Sequence, residues 1–259
     1  MKIQHERTRS LVRNAYGKVA KAAKPVKSSS CCSSSSCCGG DAAPSVEGEM
    51  GLSCGNPVGF SRIKKGMTVL DLGSGAGKDV FIAAPLAGPK GKVIGVDMTP
   101  EMLALARKNA GKFAKRTGLR NVEFRKGVIE KLPVKNAEAD LIISNCVINL
   151  SPDKPAVFRE AFRALKPGGA MIVSDIVLNR ELPPALKKHA GLYAACVAGA
   201  LLRRDYLEAI KEAAFTGIKL LTDKTYSSSG ECFDPITSKA TKALDGAASS
   251  ITVYARKSK

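Results

Sequence analysis

Between residues 66 and 177 short apolar runs alternate with amphipathic stretches. The runs at 68–72 (TVLDL), 92–96 (KVIGV), 122–125, 141–145 and 170–177 have the length and continuous apolar character of strands buried on both faces. The stretches between them are helical. One spans 78–87, a second runs from Pro100 to about 117, and a third covers 155–165. The second is well delimited: Thr99 stands at its cap, Pro100 at its first position, Glu101 in its first turn and Gly118 at its end. The third is stopped by Lys166-Pro167-Gly168-Gly169. Strands alternating with helices predict a parallel sheet with helices on both faces. An apolar helical insertion follows at 182–202, then a helix near 204–214 and two more strands at 217–222 and 250–256, which brings the sheet to seven strands.

The ends of the chain read differently. Residues 1–24 form one amphipathic helix, with Leu11, Val12, Ala15, Tyr16 and Val19 on a shared face and Pro25 ending it. The stretch KSSSCCSSSSCCGG that follows has too little apolar content to fold alone. The expected organisation is a basic helix at 1–27, a flexible Ser/Cys-rich linker at 28–50, a core at 51–226 and an extension at 227–259 that includes the last strand.

Charge and cysteine usage narrow the classes. Lys and Arg number 41 against 23 Asp and Glu, a formal net charge of +18. Residues 1–27 hold many of these cations with Glu6 as the sole acid, and the rest are scattered over helix positions. This reads as a solvated basic face rather than a nucleic-acid footprint. No apolar stretch approaches a membrane span, and the first ten residues carry charge where a secretion signal needs an apolar segment, so the expected location is the cytoplasm and the expected state a monomer. In such a setting eight cysteines suggest redox chemistry or a soft ion rather than a disulfide framework. Four cluster in the linker (Cys31, Cys32, Cys37, Cys38), and the others are Cys54, Cys146, Cys196 and Cys232.

The sequence D-L-G-S-G-A-G at 71–77 closes the first strand. Its glycines let backbone approach a ligand, and the helix behind them offers unpaired N–H groups. Asp97 ends the next strand, 20 residues after Gly77, where an acid can accept ribose hydroxyls. Glu130 follows the third strand in G-V-I-E. A nicotinamide dehydrogenase is disfavoured by the G-x-G-x-G form and by the missing Tyr-Lys or His signature. The pattern resembles class I methyltransferases. That resemblance implies a Rossmann-like α/β fold and an S-adenosylmethionine site built from Asp71, Gly73, Ser74, Gly75, Gly77, Asp97, Met98, Val128, Ile129, Glu130 and Asn145.

Cys54, Cys146 and Cys196 stand in segments that leave the strand ends framing a ligand crevice. Each alone could be a small core residue. The segments GLSCGNP, SNCVINLSPDKPAVFREAFRALKPGG and LYAACVAGAL, together with the N-terminal helix and VIGVDMTPEML, resemble arsenite methyltransferases over about residues 10–225. The resemblance implies that Cys146 and Cys196 hold As(III) and that Cys54 joins the redox step. It also implies an arsenite-type small-molecule substrate, no nucleic-acid or membrane partner, and an external thiol reductant of thioredoxin or glutathione type. Thiolates suit soft trivalent arsenic, and a nucleophile with its own lone pair needs no general base. The chain accordingly has two histidines, His5 and His189, and no acid–base constellation. Cys31, Cys32, Cys37 and Cys38 are candidates for a relay, and Cys232 reads as structural. Two alternatives keep the same core: a methyltransferase of quinones or other small molecules, which leaves Cys54 unexplained, and a thiol-based arsenic or metal sensor. An RNA cytosine methyltransferase would carry Pro where this chain has Asn145.

Overall fold

The alternation of apolar runs and amphipathic stretches becomes a doubly wound sheet. The computed structural model describes residues 2–22, 46–50, 52–183, 196–226 and 246–259. Its elements are α1 (Lys2–Ala22), β1 (Thr68–Leu72), α2 (Lys78–Ala87), β2 (Lys92–Asp97), α3 (Pro100–Thr117), β3 (Val122–Lys126), β4 (Ala139–Asn145), a 3-10 turn (Ile148–Leu150), α4 (Lys154–Ala164), β5 (Leu165–Leu178), α5 (Arg203–Glu212), β6 (Thr216–Thr225) and β7 (Ala248–Arg256). The seven strands lie in the order β3-β2-β1-β4-β5-β7-β6. β7 runs antiparallel to both neighbours, and the pairings among β1 to β5 are parallel.

Side-chain alternation along each strand divides the core in two. In β1, Val69 faces α2 and α3 with Val80, Phe81, Leu103 and Phe113. Leu70 and Leu72 face the other layer, with Val157 and Phe158 of α4 and Tyr206 and Ile210 of α5. The apolar runs are therefore continuous because both faces of the sheet are covered. Local signals behave as the sequence predicts at α3: Thr99 is extended, Pro100 opens the helix, and Gly118 closes it with a left-handed backbone. Asp153 caps α4 by accepting the Ala156 N–H at 3.0 Å.

Several boundaries differ from the expected ones. β5 begins at Leu165 rather than 170, because Lys166-Pro167-Gly168-Gly169 is absorbed into the strand as an irregularity: Ala139 pairs with Leu165, but Leu141 pairs with Ala170. β6 extends to Thr225 as an edge strand. β7, expected in an extension, lies between β5 and β6 inside the sheet. The last residues of the expected linker are docked on the core: Glu49 pairs with Lys78 at 2.6 Å and Glu47 with Arg116 at 2.7 Å. Cys31, Cys32, Cys37, Cys38, His189 and Cys232 lie outside the described residues, as does most of the expected insertion.

A third apolar cluster roofs the carboxyl ends of the strands. It joins Val12 of α1 to Leu150, Ile176, Leu178, Leu182, Cys196 and Val197. The buried face of α1 is the predicted one, with Leu11 at its margin: Val12 is buried and Ala15, Tyr16 and Val19 are half-buried. Leu11 is 39% exposed, Val12 is 2% exposed, and Gly17 is pressed against the Glu101 carboxylate of α3. Helix α1 is thus part of the roof, held by Arg9–Glu130 at 3.4 Å and Lys21–Glu101 at 3.4 Å. Val12→Asp would place an unpaired carboxylate in this cluster. We expect it to abolish hydrogen-exchange protection in 2–22 while leaving β1, β4 and β5 protected. Unchanged protection in 2–22 would show that α1 docks by other means.

Candidate active site

The strand order reverses between β1 and β4, and ligands in open sheets of this kind sit at that switch point. After β1 the chain turns through Gly73, Gly75 and Gly77, with φ of 67°, 51° and 97°. Two of these glycines are needed for different reasons. A Cβ on Gly77 would run into the rings of Phe81 and Phe124, so Gly77 lets α2 pack closely on the sheet. A Cβ on Gly75 would meet open space instead, with nothing nearer than Met102 Sδ at 4.0 Å, and its bare face lines the cleft. Asp97, at the end of β2, holds this turn. Its Oδ2 accepts the Gly75 N–H at 2.9 Å and its Oδ1 accepts the Thr99 N–H at 2.8 Å. A cleft opens above the turn, and α1 contributes Arg9, Val12 and Tyr16 to its wall.

Three buried carboxylates line the cleft: Asp71, Asp79 and Asp97. Burial pushes Asp71 well above the usual carboxylate range, and repulsion from Asp79 and Asp97 adds to this. Burial also raises Asp79, against the hydrogen bond from Asn145, and raises Asp97, against the amides of Thr99 and Gly75. Ser74 Oγ is buried on the same wall and has no hydrogen-bond partner among the described residues. A close-approach glycine, an orphaned hydroxyl and three crowded acids fit a polar ligand that bears cationic groups. S-adenosylmethionine, with its ammonium and sulfonium centres and ribose hydroxyls, meets that description.

The expected cofactor residues divide on inspection. Asp71, Gly73, Ser74, Gly75, Asp97, Met98, Ile129, Glu130 and Asn145 line the cleft. Gly77 acts behind the turn through packing. Val128 does not line it, because it is drawn into a local bridge with Lys131. The Glu130 carboxylate accepts from Ser151 Oγ at 2.7 Å and pairs with Arg9, so it is tied to the roof rather than held ready for a ligand edge. Asp79, Thr99 and Met102 also line the cleft and escaped the sequence reading, since each sits inside a segment that reads as ordinary helix start or body.

Beyond the turn, β4 delivers Asn145 and then Cys146, whose φ is 56°. Cys146 N–H still donates to the Ser174 carbonyl of β5 at 2.9 Å, and the left-handed backbone of Cys146 then turns the chain out of the sheet. The three predicted cysteines converge here. Cys54 and Cys146 form a disulfide across 92 residues, with Cα atoms 5.6 Å apart. Cys196, 4% exposed and also left-handed with φ 62°, donates its Sγ–H to the Cys146 carbonyl at 2.9 Å. Cys146 is therefore paired with Cys54, and Cys196 lies directly behind that pair. In this oxidised arrangement no group of three His, Cys, Asp or Glu among the described residues is set to hold a metal ion.

Comparison with known proteins decides the family. Residues 63–214 match the model of a methyltransferase domain. An arsenite methyltransferase of Halobacterium salinarum is 45% identical over 70% of this chain and 45% of its own length. One from Aquipseudomonas alcaligenes is 46% identical over 62% of this chain and 48% of its own. The crystal structure of an arsenic(III) S-adenosylmethionine methyltransferase from Chlamydomonas reinhardtii aligns with a TM-score of 0.66 at 38% identity, covering 80% of this chain and 67% of that one. The chain belongs to the methyltransferase-domain family, on its arsenite methyltransferase branch. It spans a little under half the length of the curated relatives it matches.

Within this methyltransferase domain a second buried polar group lies behind the cysteines. Asp175 of β5 is fully buried and accepts from Tyr206 Oη at 3.0 Å, while its other oxygen has no hydrogen-bond partner among the described residues. Burial raises its carboxyl to about 7, against the Tyr206 hydrogen bond and the nearby Lys154 ammonium. The folded protein thus keeps a proton that the unfolded chain loses above the ordinary value of 3.8, so stability falls as pH rises from there through about 7. Asp175→Asn removes this linkage. We expect thermal melting of the variant and the wild type to converge near pH 4 and the variant to melt several degrees higher at pH 8. A wild-type advantage at pH 8 would show instead that the ionised carboxylate is stabilising.

Proposed function

We propose that this chain methylates trivalent arsenic, with Cys146 and Cys196 holding the substrate and Cys54 completing a redox cycle. The observation that carries this reading is the convergence of three thiols, from segments far apart in sequence, on the wall of the cleft that contains the glycine turn. A methyltransferase acting on a quinone or another carbon or oxygen nucleophile has no need of them.

When bound, S-adenosylmethionine supplies an electrophilic methyl group and leaves as S-adenosylhomocysteine. Asp97 and the bare face of Gly75 hold the nucleoside side of the cleft, and the buried acids Asp71 and Asp79 balance cationic charge. Cys146 and Cys196, once reduced, replace two hydroxides of arsenite and release them as water with the thiol protons. Sulfur ligation leaves the arsenic lone pair directed outward, so no residue has to remove a proton from the nucleophile. The roof of Val12, Tyr16 and Leu150 excludes water from the reacting centre. Arsenic loses two electrons formally as the methyl group is transferred. The Cys54 thiol loses its proton and its sulfur bonds to that of Cys146, the arsenic–sulfur bond of Cys146 breaks, and its electron pair returns to arsenic as the two electrons. An external dithiol of thioredoxin type then reduces that disulfide by exchange. The Cys54–Cys146 bond supports this assignment of Cys54.

The substrate class leaves no role for nucleic acid, and among the described residues no helix is long and apolar enough to cross a membrane. We further propose that Cys31, Cys32, Cys37 and Cys38 relay arsenic or disulfides to the site.

The decisive experiment supplies the protein with arsenite, S-adenosylmethionine and a thioredoxin-type reductant and follows methylated arsenic by mass spectrometry. Absence of any methylarsenical would overturn the reading and leave a thiol-based sensor or another small-molecule methyltransferase. Cys146→Ser and Cys196→Ser are each expected to abolish turnover while S-adenosylhomocysteine still binds, and near-wild-type turnover by either would sink the ligand assignment. Deleting residues 28–40 should lower arsenite affinity or turnover, and a deletion variant matching wild type in both would reject the relay.

A further inference from the structure

The residue before Cys146 does more than end a strand. Asn145 Oδ1 accepts the Cys54 N–H at 3.1 Å, and Nδ2 reaches Ser53 Oγ at 2.9 Å, the Gly55 carbonyl at 3.0 Å and Asp79 Oδ2 at 3.0 Å. Two amide hydrogens are thus shared among three acceptors. The contacts to Ser53, Cys54 and Gly55 span 92, 91 and 90 residues of sequence, so this one side chain fastens the Cys54 loop to the end of β4. The fourth contact leads to a buried acid on the cleft wall. From the opposite side Ser250 Oγ of β7 donates to the Cys54 carbonyl at 2.5 Å.

We infer that Asn145 is a positioning residue that sets the dithiol–disulfide equilibrium of Cys54 and Cys146 and couples it, through Asp79, to occupancy of the cofactor cleft. The coupling rests on the cofactor part of the proposed function and is independent of arsenic. The physical basis is preorganisation. Two thiols close into a disulfide more favourably the more of their time they spend side by side, and Asn145 holds the Cys54 backbone beside Cys146 whether or not the sulfurs are bonded. In exchange with oxidised glutathione the step balances simply: two protein thiols lose two electrons and two protons, one disulfide forms, and two molecules of reduced glutathione are released. A ligand bringing cationic charge into the cleft favours ionised Asp79, which is otherwise disfavoured by burial. Ionised Asp79 is the stronger acceptor for Asn145 Nδ2, and the tightened frame favours the disulfide. By linkage the oxidised protein then binds the same ligand more tightly, by the same factor.

The test equilibrates the full chain in glutathione buffers of graded ratio and quantifies the Cys54–Cys146 peptide by differential alkylation and mass spectrometry, with and without saturating S-adenosylhomocysteine. Binding of that ligand is measured separately by calorimetry. In wild type the ligand should raise the exchange constant by about threefold or more. Asn145→Ala, checked for native near-ultraviolet circular dichroism, should lower the ligand-free constant by about tenfold, the equivalent of one to two net hydrogen bonds, and lose the ligand response. Asp79→Asn, compared at ligand concentrations that calorimetry shows to saturate the variant, should keep the ligand-free constant within about twofold of wild type, since its contact adds little to holding Cys54, and lose the response although the ligand is bound. Asn145→Ala with a wild-type constant overturns the positioning role. If Asn145→Ala does not fold, Asp79→Asn decides the coupling: a retained ligand response overturns it. Ligand binding in wild type without a shift also overturns the coupling, whereas failure of wild type to bind the ligand at all overturns the cofactor reading on which it rests.

Discussion

The parting of the chain between β1 and β4 governs this molecule. From β1 the sheet grows outward through β2 and β3 with α2 and α3 on one face. From β4 it grows the other way with α4 and α5 on the opposite face. Helices leaving adjacent strands toward opposite faces cannot close over the strand ends, so a cleft is an unavoidable product of the topology. Every group argued to act lies within reach of that parting. The glycine turn leaves β1, Asn145 and Cys146 leave β4, and Asp97 leaves the strand on the far side of β1. The roof from α1 and the Cys196 turn then encloses what the sheet leaves open.

The cleft is electrostatically unfinished without a ligand. Three carboxylates share a buried wall, and each is pushed toward its protonated form by burial. The cations that line the cleft pair with other acids, Arg9 with Glu130 and Lys78 with Glu49, and Lys78 offsets the burial of Asp79 only in part. Such a site costs stability when empty and regains it when a cationic nucleoside enters. Asp175 of β5 is a separate cost, its burial only partly offset by Tyr206 and Lys154. Binding power here is stored as local destabilisation of the folded chain.

Much of this was legible in the residues. The sheet, its helices and the glycine turn follow from apolar periodicity and local punctuation, and Asp97 from its distance along the chain. The three cysteines were identifiable as a set through family resemblance, but not which two would bond. That depends on Asn145, whose contacts to Ser53, Cys54 and Gly55 reach across some 90 residues and leave no trace in any local window. Asp79 was hidden for a different reason: an acid in the first turn of a helix is ordinary dipole chemistry, and only the tertiary fold turns it onto the cleft. The apolar face of α1 was legible from its spacing, but not that it would dock over the cleft, where Gly17 leaves room for the Glu101 carboxylate. The β5 boundary was misplaced because Pro and Gly usually end elements, whereas here a bulge accommodates them.

The placement of β7 has a consequence for how the molecule comes into being. Among the described residues β6 has no pairing with β5; both pair with β7, which follows both in sequence. During synthesis β1 to β5 can assemble as they emerge, but β6 waits without a partner until residues 248–256 arrive. The Cys54 carbonyl waits too, since Ser250, which binds it, belongs to that same strand. An early part of the cleft wall is thus secured by a strand that lies 196 residues further along the chain. A nascent chain halted before β7 would carry its thiols without the geometry that makes them a pair.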